Sequence, residues 1–336
     1  MSNPLPESTT APLPIDLDWR LVPPGPPSYA PIPDHPPRKT LLLAGVLFLL
    51  TLCTCLVAGT HFAIAYSHHQ AVSWDEFVAA FQLLYTRPAS LVAGLPFALT
   101  LMTILLAHEL GHFFACRHHH IRSSYPFFIP FPSLIGTFGA FILIRSPIRT
   151  TRALFDVGAS GPFVGFVFAV PALIYGVLHS QVVYGLADAS KADVVFGVPL
   201  ILHLLAAIIH PGVASENLLL HPIGRAAWVG LFATSLNLLP AGQLDGGHIL
   251  RSISPRGHRF LSIFLPVFLL LLGFYGHWMG QRWSIWYVWA AIIFGLRFLR
   301  VAPIYDPLPL DPNRRFGAFL ALLVFLLCFM PIPILD

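Results

Sequence analysis

The amino-acid sequence predicts an all-α polytopic membrane protein of about seven transmembrane helices, with a small membrane-associated β hairpin between the second and third of them. Three observations carry this reading. Hydrophobic residues make up 56% of the 336 and charged residues only 10%, where soluble domains devote about a quarter of their residues to charge. Seven apolar runs are long enough to cross a hydrocarbon core of about 30 Å. Ionisable residues in a ligand-like pattern lie in the middle of one of these runs, where they are costly and mark function. The formal net charge of +4 is spread over loops, so the basic balance points to membrane orientation and not to nucleic acid. The lipid bilayer is the partner that the composition demands.

Residues 1–38 are rich in proline, with Pro-Pro-Gly-Pro-Pro at 23–27, and read as a disordered or polyproline-like cytoplasmic tail with no cleavable signal peptide. Residues 39–336 form the membrane-embedded domain. Its apolar runs fall at Thr40–Tyr66, Ala89–Cys116, Leu154–Leu178, Ile223–Leu244, Phe260–Met279, Trp283–Leu299 and Phe316–Leu335. An eighth, Val194–Ile209, contains Pro199 and His203 and is open between a span and an interfacial helix. Charge argues against its crossing. With the tail inside and Val194–Ile209 not spanning, 15 of the 19 Lys and Arg fall inside, leaving Arg87, Lys191, Arg225 and Arg282 outside, as the positive-inside rule requires. The N-terminus and the later portions of the second and fourth spans are therefore expected toward the cytoplasm, the membrane being taken as a bacterial inner membrane.

Between the second and third spans, residues 117–152 cannot be one helix, because prolines recur at 126, 130 and 132. Gly136 and Gly139 among β-branched and aromatic residues at Leu134–Arg145 read as strands with close backbone approach. Such backbone at membrane depth must be buried or face a cavity, and an apolar strand there is able to pair with an extended peptide. The third span opens with small residues, Gly158 to Gly165, that admit a close neighbour, and Asp156 is expected as its N-cap. The four Cys lie in or beside apolar runs and pack as small apolar groups.

The second span carries His108-Glu109-Leu110-Gly111-His112, a pattern expected about 0.01 times by chance in this composition. On a helix, imidazoles four residues apart leave one face and can hold one Zn²⁺, with Glu109 as general base. A catalytic zinc site takes a third protein ligand. Asp245 is the only acidic residue between Glu216 and Asp306, lies at the end of the fourth apolar run (core spans about 89–116, 154–178 and 223–248), and falls at the depth of the two histidines. It is the expected third ligand. Pro240, with the neighbouring glycines, breaks the helix and turns that carboxylate inward. Asn237 either donates to a substrate or oxyanion or makes an interhelical hydrogen bond. His248 reads as an interface residue, and His118, His119 and His120 as a solvated interfacial cluster.

With His108-Glu109-Leu110-Gly111-His112 in one span and the run from Asn237 to Gly246 in another, the chain resembles the site-2 protease family of zinc intramembrane metalloproteases. The match is to its bacterial and chloroplast-like branch without a PDZ insertion. The resemblance implies cleavage in or near the transmembrane segments of membrane-protein substrates, and a β element that clamps substrate, giving Gly136 and Gly139 a supporting role. Two rival readings are a membrane transporter that carries the same cation and a non-catalytic protease relative. Glu109 discriminates, since transport needs ligands but no base.

Overall fold

The computed structural model describes residues 38–186, 194–279, 285–296, 308–331 and 333–335. The tail expected over 1–38 lies outside these up to residue 37. The described chain is mostly helical. In order it forms α1 (Arg38–Ser67), α2 (Trp74–Thr86), α3 (Leu95–His118), strands β1 (Phe127–Pro130) and β2 (Thr137–Phe141), and α4 (Thr151–Leu178). Then come β3 (Gln181–Val182), β4 (Val195–Phe196), α5 (Leu200–Ile209), β5 (Leu218–Leu219), α6 (Pro222–Asn237) and α7 (Asp245–Ile253). The chain closes with α8 (Pro255–Trp278), α9 (Ile285–Leu296), α10 (Pro312–Cys328) and β6 (Ile334–Leu335).

Four of these helices are long and apolar enough to cross a membrane: α1, α3 with the 3₁₀ turn before it, α4 and α8. The sequence predicts seven. The three others are shorter among the described residues, with 16 residues in α6, 12 in α9 and 17 in α10. The fourth apolar run stops as a helix at Asn237 because Pro240 and Gly242, at φ +58°, force a turn. The ambiguous run Val194–Ile209 resolves into β4 and the ten-residue α5. At 1.5 Å per residue α5 reaches about 15 Å, half of what a crossing needs.

Packing is centred on α3, α4 and α6. Helix α6 is buried without a break from Gly224 to Phe232, as expected of a helix enclosed by its neighbours on all sides. Arg225, counted from sequence as an outside loop charge, belongs to that buried helix. Its guanidinium lies 4.2 Å from the ring centre of Phe196 and within 6.0 Å of those of Phe62 and Trp228.

The strands form three two-stranded antiparallel pairs, β1 with β2, β3 with β5, and β4 with β6. The hairpin expected around Leu134–Arg145 is therefore present but begins earlier, with Phe127 opposite Phe141 and Phe128 opposite Ala140. It leans on α1, whose Thr54 hydroxyl donates to the Gly136 carbonyl at 2.5 Å. Gly136 has φ +84°, and a side chain there would run into the backbone of Cys55.

Asp156 is not an N-cap. Helix α4 starts a turn and a half earlier, capped by the Thr150 hydroxyl, which accepts from Ala153 N–H at 3.1 Å. The Asp156 carboxylate instead takes a two-pronged contact from Arg314 of α10, Nε to Oδ1 at 2.8 Å and Nη2 to Oδ2 at 2.6 Å. His119 Nε2 lies 2.8 Å from the same Oδ2, which takes His119 out of the solvated cluster expected for it. Arg314 also pairs with Asp311. Arg314→Ala is expected to cost about 1–3 kcal/mol, read as a lowered thermal midpoint in detergent, because it releases α10 from α4.

Candidate metal centre

Helix α3 presents His108 and His112 one turn apart, both buried. Their Nε2 atoms are 3.1 Å from each other. Asp245 arrives from a separate element, as the first residue of α7, and its Oδ2 lies 3.2 Å from His108 Nε2 and 3.3 Å from His112 Nε2. Three donor atoms thus mark a nearly equilateral triangle, one from each residue. The position at a helix N-terminus suits a carboxylate, since free backbone N–H groups gather there.

The triangle has the dimensions of a metal centre. A tetrahedral zinc ion with bonds of about 2.0–2.1 Å sets its ligands about 3.3 Å apart. The hydrogen bonding points the same way. His112 Nδ1 is 2.7 Å from the Val157 carbonyl, an acceptor only, so Nδ1 carries the proton and Nε2 presents its lone pair to the carboxylate. Asp245 Oδ2 is buried and has no hydrogen-bond partner among the described residues. Two lone pairs aimed at each other are repulsive unless a cation lies between them, and the residues present fit one.

Helix α4 supplies the opposite wall through its glycines. A side chain on Gly161 would collide with the His112 ring, one on Gly165 would stand 3.1 Å from His108 Nδ1, and one on Gly158 would stand 2.8 Å from His248 Cβ. The sequence suggested close helix approach at these glycines. The structure adds that what approaches is the imidazole pair itself.

Glu109 and His108 line two adjoining cavities. One, of about 360 Å³, also holds His112, Asp245, Asn237 and residues Ala140 to Ile144. The other, of about 280 Å³, runs from Glu109 along the hairpin toward α6 and α9. The Ile142 backbone N–H hydrogen-bonds Glu109, so the chain leaving β2 touches the candidate base. Strand β2 pairs only with β1 among the described residues, leaving its second edge free.

Of the remaining expected site residues, Asn237 is brought to the centre, with its amide nitrogen 3.3 Å from His108 Nε2. Gly139 lines the second cavity. Gly136 and Pro240 line neither and act through the backbone, one at the hairpin turn and one at the break after α6. His248 lines the metal cavity but stands outside the ligand triangle. Val157, Gly161 and Gly165 were missed as site residues. Their spacing of four in the third span was the signal.

A helical bundle with membrane-length apolar helices, a His-His-carboxylate triangle that could hold a metal ion and an adjacent buried glutamate defines the class as a membrane-embedded protein with an HExxH-type donor set. The chain belongs to peptidase family M50, whose pattern matches residues 96–273; this is the site-2 protease family that the motifs resemble. It is 30% identical over 250 residues to "Probable zinc metalloprotease EGY1, chloroplastic" of Oryza sativa subsp. japonica, across 72% of this chain and 42% of that protein. It is 36% identical over 160 residues to the protein of the same name from Arabidopsis thaliana, across 46% of this chain and 29% of that one. With "Probable zinc metalloprotease EGY2, chloroplastic" of Arabidopsis thaliana it shares 30% over 247 residues, 71% of this chain and 42% of that protein. The chain spans less than half the length of these relatives.

Proposed function

We propose that this protein is an intramembrane zinc metalloprotease that hydrolyses peptide bonds in or near the transmembrane segments of membrane proteins. The observation that carries the reading is the triangle of His108, His112 and Asp245 with Glu109 beside it on the wall of a cavity. His108, His112 and Asp245 would hold one zinc ion. When bound, zinc supplies the Lewis acidity that activates water and polarises a carbonyl. Glu109 takes the proton of the attacking water and delivers it to the leaving amine. Asn237 stands where it can donate to the substrate.

A transmembrane helix hides its carbonyls in internal hydrogen bonds, so the substrate must be unwound before attack. The free edge of β2 pairs with the unwound segment as an added strand and holds it across Glu109. The rival transport reading has no use for a base hydrogen-bonded beside a free strand edge.

In this proposal α1, α3, α4, α6, α8, α9 and α10 are the seven crossings. The tail and the site face the cytoplasm of a bacterial inner membrane, supported by the bias of Lys and Arg toward that side. The test is reconstitution of purified protein with a tagged single-span membrane protein. Cleavage within or beside the span is expected, read by product mass, with loss on chelation and return on adding zinc. Cleavage that survives exhaustive chelation, or that falls only in soluble regions, would sink the proposal.

A further inference from the structure

The second cavity is a side branch of the centre. It shares His108, Glu109, Ala140 and Asn237 with the metal cavity and has a volume of about 280 Å³, several times the roughly 30 Å³ that a water takes in the liquid. Its walls are Ile104 and Leu105 of α3, Val229 and Ala233 of α6, Trp289 of α9 and Phe138 of β2. Val229, Ala233 and Asn237 are successive positions four apart, so they share one face of α6, and the pocket continues directly from the polar group nearest the centre.

The hydroxyls on this wall are already engaged with backbone. Thr137 Oγ1 donates to the Ile129 carbonyl at 2.8 Å and accepts from Gly139 N–H at 2.9 Å. Thr234 Oγ1 donates to the Gly230 carbonyl at 2.9 Å. Ser133 Oγ accepts from Ile135 N–H at 3.4 Å, so away from the catalytic groups and these three hydroxyls the side chains offered to a ligand are hydrocarbon. Gly139, at the mouth, has φ +105°, and a side chain there would meet nothing within 4 Å, so the path from the strand edge into the pocket is clear.

We infer that this cavity is a specificity pocket, which receives the side chain of one of the two residues flanking the scissile bond and selects a large apolar one. The inference rests on the peptidase reading and deepens it. A strand laid on β2 sends alternate side chains to one face, and the side chain beside Glu109 enters between Gly139 and Ala233. Ala233 sets the depth. A larger residue at 233 fills the pocket, while a smaller one at 229 extends it.

The experiment uses a peptide derived from one transmembrane span, with Gly, Ala, Leu, Phe, Trp or Asp placed in turn at successive positions along it. Binding is measured to the Glu109→Gln protein, and cleavage by the wild type. At one position Leu and Phe are expected to exceed Ala by at least tenfold in both readouts, since each methylene in an apolar pocket is worth roughly 10–200-fold. Ala233→Leu should reverse that order in favour of Ala, and Val229→Ala should raise Trp. Cleavage indifferent to both flanking residues within twofold, or variants that scale all peptides alike, would overturn the pocket. A graded binding order with no wild-type cleavage would uphold the pocket and overturn the peptidase reading.

Discussion

Replacing Glu109 with Gln is expected to lower cleavage of a membrane substrate by roughly 10²–10⁴-fold, the range typical for a lost general base, while metal content stays at one ion per chain. The separation follows from the geometry. Glu109 is not one of the three converging donors, and the amide of Gln fills the same buried volume. It keeps an acceptor for the Ile142 N–H but cannot take up a proton. The measurement pairs product formation with metal analysis of the same preparation. Cleavage unchanged in the Gln variant would remove Glu109 from the chemistry. Metal lost together with activity would make it a ligand or a prop of the ligand set.

The second large effect is expected at a residue that carries no functional group. Gly161 faces the His112 ring so closely that any side chain at 161 collides with the imidazole. His112 cannot retreat, because its Nδ1 is held by the Val157 carbonyl at 2.7 Å on the same helix. Gly161→Val is therefore expected to swing Nε2 out of the triangle and weaken metal binding by roughly 10–100-fold, the cost typical of disturbing what orients a ligand. Gly161 lies in an otherwise accommodating helix, so its secondary structure should persist by circular dichroism. Metal bound with unchanged affinity in a folded Gly161→Val protein would show that α4 does not shape the centre.

Much of the ligand set was legible because ionisable residues in apolar runs are few. His108, Glu109 and His112 declare themselves by spacing, and Asp245 by being the lone acid in a long apolar stretch. The hairpin was legible through its prolines and glycines. What hydropathy could not resolve was helix length. Apolarity continues through residues 238–244, and only Pro240 with its neighbouring glycines marks the break there. Nor could it see long-range pairing. Asp156 looked like a cap because its partner Arg314 is 158 positions away, and Arg225 looked like a loop charge because its aromatic surroundings come from α1, β4 and α6. The glycines of α4 were read as a packing surface, which they are, but only the folded chain reveals that the packed object is a pair of imidazoles.

The ligands arrive on two elements separated by a turn and a great deal of chain, and this sets the order in which the centre is built during synthesis. A nascent chain that has inserted α3 owns two imidazoles and a glutamate but no triangle. The glycine wall of α4 comes next, then α6, and only after the turn at Pro240 does Asp245 emerge to close the set. A chain stalled before that point presents two imidazoles and no partner carboxylate. The donor triangle is thus closed only after α3, α4 and α6 have all been synthesised.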